Sequence, residues 1–166
     1  MHVLTLPATG FATTTDIQRA LHPPNKQAVA DRLLLEVQRL TGSAVGASRG
    51  PELLSKTVED GKLTLRFSNN SLHVNAGIQV PPPASGCTLG PAAGPHDTAS
   101  SSAVQQVVHG GQRVQVPFAI QGNTMIVSCT GGNESTPVLI NSDTASCFLY
   151  ASVGLPAPPL SVVCAA

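Results

Sequence analysis

The feature that most constrains this chain is one amphipathic helix, bracketed by a proline and a glycine, in a sequence that elsewhere favours strands. Val29, Leu33, Val37 and Leu40 recur at helical spacing, and Ala30, Leu34 and Leu35 widen the apolar side. Pro24 suits a first helical turn, where its missing N–H costs nothing. Gly42 suits the stop. This predicts a helix over 24–41. Arg32 and Glu36 lie four apart and are expected to pair on its outer face. Leu33 and Val37 are expected to lie against a sheet. A sheet too small to cover them would leave an apolar patch, and the isolated chain would then self-associate or need further protein.

The residues ahead of this helix carry the candidate chemistry. Phe11-Ala12-Thr13-Thr14-Thr15 is rich in β-formers and reads as a strand delivering Asp16 at its carboxyl end, where α/β folds place functional groups. An ordinary turn with Asp16 in a loop is the competing reading of the same residues. His22 lies just before the helix, whose positive end disfavours imidazolium. A carboxylate beside it would offset this, orient the ring and stabilise the charged form, as the acid of a catalytic triad does. Asp16 is the only carboxylate upstream of His22. The connection between them is long enough for a turn that brings the side chains within hydrogen-bond reach. A triad also needs a nucleophile, yet no serine precedes His22; the first is Ser43.

Beyond the helix, Gly42 to Gly50 is a small-residue linker and marks a domain boundary. Leu53 to Phe67 reads as two strands around Glu59-Asp60-Gly61, with Leu63, Leu65 and Phe67 facing a core. Leu72-His73-Val74 begins another strand. From Gly77 to Ser102, Pro, Gly, Ala and Ser predominate, which predicts a long mobile loop. Strands return at Val104 to Val108, Arg113 to Ile120, Thr124 to Cys129, Val138 to Ile140 and Cys147 to Tyr150. The Pro-rich ending reads as extended coil.

Composition excludes several classes. Nine basic and nine acidic residues give no net charge, so nothing points to nucleic acid or an anionic membrane surface. No apolar run approaches the roughly 18 residues of a membrane span, and Met1 to Pro7 lacks the pattern of a signal peptide. His2, His73, His96 and His109 have no metal-ligand spacing among them, and no two cysteines are spaced Cys-x-x-Cys, so no metal is expected. Cys87, Cys129, Cys147 and Cys164 suit either disulfides or free thiols. Asn69-Asn70-Ser71 and Asn133-Glu134-Ser135 are glycosylation acceptors if the chain is secreted.

Four ordered segments carry a family resemblance. Asp16-Ile17, then Leu21-His22-Pro23 and Asn25-Lys26-Gln27, resembles the end of the catalytic domain of sialate O-acetylesterases, carbohydrate esterases with an SGNH-type hydrolase fold. Arg49-Gly50-Pro51 with Lys62 to Phe67 resembles the family's Gly-Pro segment and following strand. Pro137-Val138 resembles the entry to a late strand. Leu149-Tyr150 with Gly154-Leu155-Pro156-Ala157-Pro158-Pro159 resembles the family's close. Where the family carries Arg-Tyr and Trp in that late strand, this chain has Leu139, Ile140 and Ser142, and Leu160 replaces a final Phe.

The resemblance implies an α/β fold: residues 1–42 as the terminal strand–helix part of an SGNH-type domain, then residues 43–166 as a β-rich, sandwich-like accessory domain. It implies hydrolysis of O-acetyl esters on sialic acids or related sugars, with serine attacking, His22 moving the proton and Asp16 orienting His22. No cofactor is required. The serine-bearing amino-terminal half would be missing here, which leaves a noncatalytic β-sandwich that binds carbohydrate or packs on a partner as the alternative. The resemblance further implies a Cys129–Cys147 disulfide and a lysosomal or secreted location.

Overall fold

The computed structural model of the protein describes residues 8–17, 25–43, 46–68, 72–75, 99–129, 136–141, 147–151 and 154–164. The expected α/β arrangement does not form. Among these residues the protein is mostly β, with one helix and one large sheet curled into a half-barrel. The helix α1 is Lys26–Leu40. The strands are β1 (Leu53–Glu59), β2 (Lys62–Phe67), β3 (Leu72–Asn75), β4 (Ala99–Val107), β5 (Arg113–Gln121), β6 (Thr124–Ser128), β7 (Pro137–Ile140), β8 (Phe148–Ala151) and β9 (Leu160–Val163). Seven of them form the sheet β1-β2-β6-β5-β4-β7-β9, while β3 and β8 form a separate ribbon. Every pairing between them is antiparallel. A parallel sheet needs a long crossover between neighbouring strands, whereas the pairs β1–β2, β4–β5 and β5–β6 are consecutive in the chain and join as hairpins.

Alternation builds the interior as expected for β2. Leu63, Leu65 and Phe67 are buried while Arg66 is exposed. The same period buries Val116, Phe118 and Ile120 on β5, Met125 and Val127 on β6, and Val138 and Ile140 on β7. The β1–β2 hairpin turns where expected, with both Asp60 (φ 48°) and Gly61 (φ 69°) left-handed, the conformation of a tight primed turn. Leu72, Val74 and Leu149 of the ribbon join this core, while Phe148 and Tyr150 face the other way.

Three local expectations change. Residues 11–14 carry no strand, because side chains of α1 take their backbone groups instead of a neighbouring strand. Residues 99–102, expected in the long loop, belong to β4, which pairs with β5 and with β7. Residues 160–163, expected as coil, form β9 on the edge of the sheet, paired with β7. The remainder of the expected loop, 77–98, lies outside the described residues, as do both glycosylation triplets.

The Cys129–Cys147 pairing is also corrected: Cys129 bonds Cys164, with Cα atoms 6.2 Å apart. Cys147 is disulfide-bonded as well, and there is no free thiol among the described residues. Curvature explains the partner of Cys129. Cys129 follows β6 and Cys164 follows β9, four places apart in the sheet. In a flat sheet that separation would be about 19 Å. Curling brings the two ends together. Closing a loop of this length stabilises the fold by about 4 kcal/mol in the chain-entropy view.

Candidate functional site

α1 begins at Asn25, whose side-chain oxygen accepts from the Ala28 N–H at 3.0 Å. It ends in a Schellman motif: the Ser43 N–H donates to the Gln38 carbonyl and the Gly42 N–H to the Arg39 carbonyl, with Gly42 left-handed at φ 75°. The helix is thus where the sequence puts it, but it is turned over. Leu33 and Val37, expected against a sheet, are 46% and 53% exposed. The buried residues are Arg32 and Glu36, expected outside. Together with Arg39 they occupy positions i, i+4 and i+7, a stripe of charge facing inward.

This stripe grips the segment before it. The Arg32 guanidinium forks onto Asp16, Nη1 to Oδ1 and Nη2 to Oδ2, both at 2.6 Å. Its Nη1 also donates to the Thr13 carbonyl at 2.5 Å. Glu36 accepts from the Phe11 N–H at 3.4 Å, and Arg39 donates to the Thr9 carbonyl at 3.3 Å. The Tyr150 hydroxyl completes the first cluster by donating to Asp16 Oδ2 at 2.5 Å. Tyr150 points there because alternation along β8 sends Leu149 into the core and its neighbours outward. Burial, and then the charge of Asp16 and the bond to it, push the Tyr150 phenol far above its ordinary value against a smaller opposing pull from Arg32. It stays a donor.

A second cluster centres on Glu36, which is 2% exposed. Arg49 donates Nε and Nη2 to its two oxygens at 3.0 and 2.9 Å, and Arg39 donates to the same oxygens at 3.2 and 3.1 Å. The Arg49 guanidinium also stands 5.1 Å from the Phe11 ring centre. Burial alone would raise the Glu36 pKa, but hydrogen bonds from Arg49, Arg39 and Ser48 outweigh it and hold the carboxyl at about 2 instead of 4.5. Because the folded value is depressed, its stabilisation is complete above about pH 4.5 and disappears as pH falls towards 2. The shift corresponds to about 3 kcal/mol. Thermal melts of the wild type and Glu36→Gln should therefore differ most near pH 6 and converge by pH 2–3. A gap independent of pH would contradict this assignment.

Between the clusters lies a shallow cleft lined by Phe11, Thr13, Arg49, Glu52 and Pro156 among others. Two segments of the family resemblance meet beside it. Gly50 packs so closely on Pro156 that a Cβ there would stand 1.8 Å from the Pro156 carbonyl oxygen. Only glycine allows that approach.

Of the two site residues expected from sequence, Asp16 is fully buried in the first cluster, in a turn rather than at a strand end. His22 lies outside the described residues. Sequence reasoning missed Arg32, Glu36, Arg49 and Tyr150. The signal available was the charged stripe at 32, 36 and 39, which has the same helical spacing as the apolar one. Among the described residues no group of His, Cys, Asp or Glu could hold a metal ion, and no helix is long and apolar enough to cross a membrane.

No known protein family matches the chain, and no curated protein does. Among solved structures, the chain is similar to a carbohydrate acetylesterase from Xanthomonas citri, with a TM-score of 0.67 and 22% identity, over 96% of this chain and 33% of that one. The chain thus spans about a third of that enzyme's length. At this identity the likeness is one of fold.

Proposed function

We propose that this chain is the accessory part of a carbohydrate esterase of the sialate O-acetylesterase type, and that by itself it does not hydrolyse esters. The observation that carries this is the likeness of fold, along nearly the whole chain, to part of a carbohydrate acetylesterase. The ordered segments from Asp16-Ile17 to Gly154-Leu155-Pro156 support the finer reading, with O-acetylated sialic acid or a related sugar as substrate. In the complete enzyme a serine would attack the ester carbonyl, His22 would move the proton, and Asp16 would orient His22. This chain has no serine ahead of His22. The bonded cysteines favour an oxidising compartment, in keeping with a secreted or lysosomal protein.

One observation favours the noncatalytic alternative, a β module that binds carbohydrate or packs on a partner. The Asp16 carboxylate already accepts three hydrogen bonds, out of about four acceptor positions. It anchors the fold whatever else it does. The expected result is therefore that the purified chain releases no acetate from aryl acetates or O-acetylated sialic acid above background. Turnover that is lost in His22→Ala would overturn this and reveal a nucleophile elsewhere in the chain.

A further inference from the structure

α1 presents its apolar stripe to solvent and cannot roll to hide it. Leu33, Leu34, Val37 and Leu40 are 46%, 55%, 53% and 40% exposed. On the inward side, Arg32 is fixed to Asp16, and Glu36 to Arg49. Turning the helix over would bury leucines at the cost of stranding these charges. Single exposed leucines need no explanation, but four apolar residues on adjacent turns form one patch of a few hundred Å², the scale that marks an interaction site.

The likeness to the Xanthomonas citri enzyme indicates what could cover it, since two-thirds of that enzyme has no counterpart in this chain. We propose that the stripe seats an apolar face of an acetylesterase's hydrolase body, the part of such an enzyme that this chain does not contain. The proposal rests on the function proposed above. A second copy of this chain is the poorer occupant. Two such stripes face to face would bury well under the ~1,200 Å² at which stable complexes begin. A larger body can add contacts around the stripe and reach that area.

The test uses the Xanthomonas citri acetylesterase with its matched third removed, mixed with this chain and followed by sedimentation velocity. A one-to-one complex is expected, weakened more than about tenfold in a Leu33→Glu, Val37→Glu double variant. Leu54→Glu, which changes a leucine 59% exposed on β1, should leave it intact. Failure of the wild type to bind the folded probe, equal binding by the double variant, or association of the chain only with itself would each overturn the proposal. If the probe does not fold, the melting temperature of the chain alone decides. The double variant should match the wild type, because the stripe touches solvent, and a fall of several degrees would place the stripe within the chain's own packing. Docking without acetate release from an O-acetylated sugar leaves the seat standing and removes the functional reading. Acetate release by a fused polypeptide whose separate parts do not dock does the reverse.

Discussion

Arg32→Leu should destabilise the protein by about 3–5 kcal/mol, the range for leaving one partner of a buried ion pair without the other. The substitution removes the fork on Asp16 and the bond to the Thr13 carbonyl, leaving a fully buried carboxylate with only the Tyr150 hydroxyl. Arg32→Lys should recover only part of the loss, since an ammonium is a point charge and cannot match both oxygens. Pairing Arg32→Leu with Asp16→Leu should restore stability relative to Arg32→Leu alone, because the unpaired charge is gone. Denaturant titration of the three variants measures this. If Arg32→Leu costs under 1 kcal/mol, the cluster is solvated in solution and Asp16 is free to act elsewhere.

The second large effect is expected at Asn141, which is fully buried and left-handed at φ 52°. Its amide donates to the carbonyls of Leu149 and Ala157 at 3.1 and 2.8 Å, and its oxygen accepts from the Leu149 N–H at 2.6 Å. One side chain thus ties the end of β7 to β8 and to the closing Pro-rich segment. Asn141→Leu should cost about 3–4 kcal/mol. It strands a buried N–H and a carbonyl at 1–3 kcal/mol each, and it places a bulky residue where asparagine tolerates positive φ. Asn141→Asp has nearly the same shape but turns a carboxylate oxygen towards two carbonyls, so it should be destabilised to a similar degree. A neutral Asn141→Asp in thermal melts would show that the amide bonds contribute little.

Local signals in the sequence were reliable where one force decides the outcome. The helix and its glycine stop follow from spacing and backbone freedom, and the Glu59-Asp60-Gly61 turn follows from the need for two left-handed residues. β2 follows from strict alternation. The sequence misled where two forces compete. α1 carries an apolar stripe and a charged stripe, and hydrophobicity alone puts the leucines inside. Charges win here because each finds a partner: Arg32 meets Asp16 and Thr13, and Glu36 meets two arginines and a backbone N–H. Apart from Arg39, three residues along the same helix, those partners lie 13 to 25 residues away along the chain, beyond the reach of periodicity. β9 was hidden for a related reason. Its residues have no alternating polar face of their own, and it exists as a strand through pairing with β7. Tyr150 was legible as a strand residue, but its role depends on a contact 134 residues distant in sequence.

The Cys129–Cys164 bond makes an edge strand part of a closed loop. Without it, β9 would be a four-residue strand held along one side by β7, the kind of element that opens in local fluctuations long before the whole protein unfolds. With it, opening β9 drags on the end of β6 near the middle of the sheet, so the rim and the centre are expected to exchange their amide hydrogens as one cooperative unit. Reduction would separate them. The rim would then exchange first and offer an unpaired strand edge to any other chain nearby, so the thiol–disulfide poise around the protein also sets how readily that edge is exposed.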